Sequence, residues 1–155
     1  MNAADILTVT IESRGNMRRT VARIGLVAAR GCMVTGWVSE GGHWFYYGLS
    51  GGQAAGWVSV RGTWYYLGAS GAMRTGWMRD GSTRYYLADS GAMTTGWARI
   101  GSSWYHFAPS GTMSTGWVKD GGSWFYLSSS GGMVTGARWI DGTRYVFDDE
   151  GRLQE

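Results

Sequence analysis

A Gly-Trp pair returns every twenty residues along most of this chain, at Gly36-Trp37, Gly56-Trp57, Gly76-Trp77, Gly96-Trp97 and Gly116-Trp117, with a degraded copy at Gly136-Ala137. A second aromatic cluster keeps step with it: Trp44-Phe45-Tyr46, Trp64-Tyr65-Tyr66, Arg84-Tyr85-Tyr86, Trp104-Tyr105-His106, Trp124-Phe125-Tyr126 and Arg144-Tyr145-Val146. Self-similarity at a fixed short period restricts the chain to an array of equivalent units that bury surface against their neighbours. Ten Trp in 155 residues exceed what a small core needs, so the surplus rings point to a binding surface.

One unit reads in full from Thr75 to Thr94. Trp77-Met78-Arg79 forms a first strand, Asp80-Gly81 a tight turn and Arg84 to Leu87 a returning strand, after which Asp89-Ser90-Gly91 leads into the next unit. Gly41-Gly42, Arg61-Gly62, Gly121-Gly122 and Asp141-Gly142 carry related turn signals. With 27 Gly and one Pro the chain is turn-dense, which favours short strands over long helices. An isolated hairpin is marginal in water, so the units must stack. The expected fold is all-β, a solenoid of stacked β-hairpins preceded by a short irregular N-terminal segment. The expected organisation is 1–30 as that segment, a remnant outside the array, and 31–155 as about six twenty-residue repeats.

Charge removes one class of function. Residues 1–32 hold Arg14, Arg18, Arg19, Arg23 and Arg30 against Asp5 and Glu12, which accounts for the whole net charge of +3. The repeats are neutral, whereas a nucleic-acid surface interleaves basic groups with its aromatics, so no nucleic-acid partner is expected. No stretch approaches the roughly 18 apolar residues of a membrane span. The run from Met17 to Ala29 makes a poor signal peptide because Arg23 interrupts its apolar centre. A single Cys32 cannot form an intramolecular disulfide, and Arg30 stands where a lipidation site before Gly31-Cys32 wants a small residue. His43 and His106 are too few for a metal site, and no paired carboxylates, Cys/His or Ser/His set or HExxH stands in the array. No catalytic residue, metal or cofactor is therefore expected; any catalysis would reside in a further domain.

The first thirty residues read differently. Leu7, Val9 and Ile11 alternate with Ile6, Thr8 and Thr10 as a strand does, while Met17, Val21, Ile24 and Ala28 have helical spacing. Gly31-Cys32-Met33-Val34-Thr35 matches the end of a repeat, as in Gly71-Ala72-Met73-Arg74-Thr75, which suggests an array that once continued upstream.

The pattern Thr-Gly-Trp, Trp-Tyr-Tyr-Leu, Ser-Gly-Ala-Met and Thr-Gly-Trp again, repeated in register from residue 31 to about 153, resembles the choline-binding or cell-wall-binding repeats of Gram-positive surface proteins and their phages. The resemblance implies a β-solenoid that holds choline of teichoic or lipoteichoic acids between successive hairpins. It further implies an extracellular, cell-wall-associated module without catalysis of its own. A quaternary ammonium donates no hydrogen bond and is best held by aromatic faces, at roughly 0.5 to 2 kcal/mol per ring.

Carried over by position, the family pattern groups Trp37, Trp44 and Tyr66 in one cage, Trp57, Trp64 and Tyr86 in a second, and Trp97, Trp104 and Tyr126 in a third. Met73, Met93, Met113 and Met133 stand where the family has an apolar wall. At Trp77 the pattern is impaired by Arg84 and His106. After Trp117 and Trp124 it reaches the aliphatic Val146, unless Phe147 shifts into place. The middle residues Phe45, Tyr65, Tyr85, Tyr105 and Phe125 read as core, and Trp139, two residues out of step, marks a divergent cap. The alternative partner is a cell-surface glycan, as in the glucan-binding and toxin receptor-binding repeats that this pattern also resembles. Whether the module pairs as a homodimer is left open by the sequence.

Overall fold

The computed structural model describes residues 8–13, 17–22 and 34–154, and among them there is no helix. Six antiparallel hairpins follow one another. β3 (Gly36–Glu40) pairs with β4 (His43–Tyr47), β5 (Gly56–Val60) with β6 (Thr63–Leu67) and β7 (Gly76–Asp80) with β8 (Thr83–Leu87). β9 (Gly96–Ile100) pairs with β10 (Ser103–Phe107), β11 (Gly116–Asp120) with β12 (Ser123–Leu127) and β13 (Gly136–Ile140) with β14 (Thr143–Phe147). Ahead of them β1 (Thr8–Ser13) pairs with β2 (Met17–Ala22), and β1 also meets β3 at Thr10 opposite Ser39. The helical spacing read from Met17 and Val21 is thus overturned. Six residues pair with β1 along their whole length, so strand pairing decides where a short periodicity could not. Ile24 and Ala28 lie outside the described residues.

Two-residue turns set the register. Gly41-Gly42, Arg61-Gly62, Gly121-Gly122 and Asp141-Gly142 have positive φ at both central positions, as a type I′ turn requires. In the third and fourth hairpins the positive φ falls on Gly81 and Gly101 alone, each followed by Ser, the pattern of a type II′ turn. The turn is therefore centred on Gly81-Ser82, one residue beyond the expected Asp80-Gly81, because Asp80 still pairs with Thr83.

A third segment of each repeat closes the unit. Leu67 bridges to Met73, Leu87 to Met93, Phe107 to Met113 and Leu127 to Met133. The methionine N–H then donates to the preceding hairpin: Met73 to the Trp44 carbonyl at 2.7 Å, and Met113 to Arg84, Met133 to Trp104 and Leu153 to Trp124, each at 2.8 Å. Within each unit these bonds stitch hairpin to hairpin, so stability is shared between neighbours. The turn glycine is needed for two reasons. Gly131 has φ +91°, and a Cβ there would collide with Met113 Sδ; Gly111 and Gly151 stand in the same relation to Met93 and Met133. Only a residue without Cβ fits both the backbone and the thioether beneath it.

The chain divides into two compact units, residues 1–75 with 89–92 and residues 76–88 with 93–155. In the first, Val38 and Leu67 are fully buried; in the second, Leu87, Phe107 and Leu127 are fully buried and Ile140 and Phe147 nearly so. Leu67, Leu87, Phe107, Leu127 and Phe147 each end a returning strand, while Val38 and Ile140 lie on first strands. Phe45, Tyr65, Tyr85, Tyr105 and Phe125, expected as core, are only half-buried. By alternation each shares a face with the residue two positions on that ends its strand, and Tyr65, Tyr105 and Phe125 meet an indole of the preceding hairpin.

Candidate aromatic binding sites

Cross-strand register places the Gly-Trp indole opposite the third triplet residue: Trp37 with Tyr46, Trp57 with Tyr66, Trp77 with Tyr86, Trp97 with His106 and Trp117 with Tyr126. Partners directly opposite share a face, so the ring closest to each indole in its own hairpin is this one, with centroids 5.1 to 5.3 Å apart and edge-to-face. The opening triplet residue lies on the same face, two positions along.

The ring that reaches across from the next hairpin is the middle triplet residue. Tyr65 lies 4.8 Å from Trp37 in the first unit. In the second, Tyr105 lies 4.9 Å from Trp77, Phe125 4.8 Å from Trp97 and Tyr145 4.9 Å from Trp117. Tyr66 pairs with Trp57 and Tyr126 with Trp117, each inside its own hairpin, while Tyr65 and Phe125 are the rings that meet Trp37 and Trp97. Tyr86 pairs with Trp77. Alternation is the reason: a hairpin stacks the face bearing its Trp residues on the opposite face of its successor, and Tyr66 points away from that junction.

The site after β11–β12 is the most completely walled in the second unit. Trp117 and Trp124 stand perpendicular, with centroids 6.2 Å apart, and Tyr145 and Phe147 close around Trp117 at 4.9 and 5.9 Å. The aliphatic Val146 does not bear on it, since it pairs with Ala137 on the other face. Trp117 and Trp124 remain 36% and 43% exposed, so their faces are open to a ligand. The chain supplies its own test of their electrostatics: Lys119 Nζ lies 5.5 Å from the centre of the Trp124 ring.

At Trp97 the indole N–H donates to Asp120 Oδ2 of the next hairpin at 3.0 Å, and the His106 ring at 5.1 Å is held by Ser114 Oγ. Trp104 is exposed opposite Arg99. In the first unit Trp44 lies half-buried opposite Ser39, and Trp64 is exposed opposite Ser59. At Trp77 a groove of about 400 Å³ is lined by Trp77, Met78, Arg79, Arg84, Tyr105 and Ser130. The methionine sulfurs of Met73, Met93, Met113 and Met133 rest on the turn glycines, and none lines this groove. A further sequence signal is the basic residue two positions after three of the Gly-Trp tryptophans, Arg79, Arg99 and Lys119. Among the described residues no His, Cys, Asp and Glu cluster fit for a metal occurs, and no helix is long and apolar enough to cross a membrane.

A repeated hairpin with paired tryptophans and a ring borrowed from its successor defines a class of repeat module with aromatic sites. Sequence comparison makes the class specific. The choline-binding repeat family matches residues 54–95 and 94–135, a cell wall binding repeat matches 35–52, and the chain belongs to the choline-binding repeat family. Choline binding protein F from Streptococcus pneumoniae, solved in the presence of a peptidoglycan analogue, is 40% identical with a TM-score of 0.75, covering 78% of this chain and 41% of that one. CbpJ from Streptococcus pneumoniae TIGR4 is 35% identical with a TM-score of 0.77, covering 94% of this chain and 48% of that one. The pneumococcal cell wall endolysin from phage Cp-1, complexed with choline, is 34% identical with a TM-score of 0.56, covering 77% and 36%. The chain thus spans less than half the length of these proteins. No curated protein sequence matches it.

Proposed function

We propose that this chain is a cell-wall-binding module that captures choline on teichoic or lipoteichoic acid at aromatic sites between successive hairpins, on the outside of the cell. The observation that carries this reading is that Trp117 meets both Trp124 and Tyr145, with the Lys119 ammonium 5.5 Å from the centre of the Trp124 ring. A ring set of this kind attracts a diffuse cation without offering hydrogen bonds that choline cannot use. The Trp37, Trp44 and Tyr65 set and the Trp97, Trp104 and Phe125 set are the matching sites, with Trp57 and Trp64 supplying the same two indoles to another. The chain carries no reaction of its own in this reading; it tethers whatever is joined to it.

One such site reaches about millimolar affinity, roughly −4 kcal/mol, so several must engage one polymer for firm attachment. Titration with choline, followed by tryptophan fluorescence and melting temperature, tests the reading, with maltose and isomaltose oligomers as comparison. Saturable quenching and a rise in melting temperature with choline alone, reduced in Trp124→Ala, is the expected result. A response confined to the sugars would replace choline by a glycan.

A further inference from the structure

We propose that the groove at Trp77 is an anion site that takes a phosphate ester, so that one interval of the array reads the opposite charge from its neighbours. The groove stands on its own residues and does not require that the other intervals bind choline. Arg79 and Arg84 lie directly opposite one another in the β7–β8 register, on the face that Trp77 shares. Like charges facing across a ladder oppose pairing, yet neither guanidinium has an acidic partner within the groove. Arg79 Nε donates to the Gly81 carbonyl at 3.1 Å, which fixes the side chain and leaves its two terminal nitrogens as donors. The ion pairs of Arg152 with Asp148 and Glu150 lie far along the sequence from both arginines.

The remaining lining completes an anion receptor. Tyr105 and Ser130 complete the lining, the Ser130 hydroxyl sharing a hydrogen bond with Ser128 Oγ at 2.8 Å, while Trp77 and Met78 give an apolar floor against which a small alcohol moiety can lie. Planar guanidinium forks match the oxygens of phosphate in a way that a single ammonium does not. A quaternary ammonium would be repelled by the same pair. The volume of about 400 Å³ accommodates a phosphate with a short polyol attached.

The probes are glycerol 3-phosphate and inorganic phosphate, titrated calorimetrically into the full chain at low ionic strength, with glycerol as the neutral comparison. Saturable binding of either phosphate at one site, absent for glycerol and weakened about tenfold in both Arg79→Gln and Arg84→Gln, is expected. Arg99→Gln, an exposed arginine outside the groove, should leave it unchanged. No saturable phosphate binding, equal binding in Arg84→Gln, or an equal loss in Arg99→Gln would overturn the proposal. Both groove arginines are exposed, and circular dichroism of each variant separates lost binding from lost fold.

Discussion

Trp77 and Trp117 occupy nearly the same frame and face opposite chemistries. Around Trp77, Tyr86, Tyr105 and Phe107 lie at 5.3, 4.9 and 5.9 Å with interplanar angles of 71°, 71° and 42°. Around Trp117, Tyr126, Tyr145 and Phe147 lie at 5.1, 4.9 and 5.9 Å with angles of 71°, 73° and 39°. The side chain that opens the triplet is what separates them: Trp124 walls one site and Arg84 charges the other. The hairpin frame fixes distances and angles, and one position on it sets whether a ring or a guanidinium faces the site.

The frame itself should be the hardest part to change. Gly131→Val adds a branched side chain at φ +91° and drives it into Met113, so the loss is about 2–4 kcal/mol, read as a fall in melting midpoint in denaturant. A neutral outcome would mean that the thioether ladder does not hold the frame. Swapping the sign tests the comparison directly. Arg84→Trp should abolish phosphate binding at the groove and add one choline equivalent, worth about 1 to 2 kcal/mol, in a calorimetric titration. Unchanged choline stoichiometry would show that the frame needs more than the second indole.

The smallest expected effect sharpens the other half of the comparison. Lys119 occupies the Trp124 face that choline would use, so Lys119→Ser should tighten choline at that site by about 0.5–1 kcal/mol, measured by fluorescence titration at low salt. Weakening instead would make Lys119 a part of the wall rather than a competitor. The same substitution recreates the arrangement of Ser39 opposite Trp44, which nature supplies in the first unit.

Much of this was legible before any coordinates. Period, hairpin number and four of the turns follow from Gly-Trp, from paired turn residues that tolerate positive φ and from alternating aromatics, all of which act within a few residues. Tyr66 shows where such reasoning ends: the sequence places it and Tyr65 on opposite faces without saying which face meets the previous hairpin. Met17 and Val21 show the same limit, since helical spacing over a few residues yields to a strand partner only the fold supplies. Arg84 was recognised as incompatible with a cation, but Arg79 joins it only through cross-strand register.

The sequence by itself determined an all-β array of hairpins, its repeat length, and the indoles available to a ligand, because turn chemistry and side-chain alternation are local. The tertiary structure decided that Tyr145 rather than Val146 completes the Trp117 site, that Met113 fills the space left by Gly131, and that two arginines share one groove. Those outcomes depend on how one hairpin is turned against the next within a unit, which is fixed by burial of the residues ending the returning strands and by the backbone bonds between hairpins.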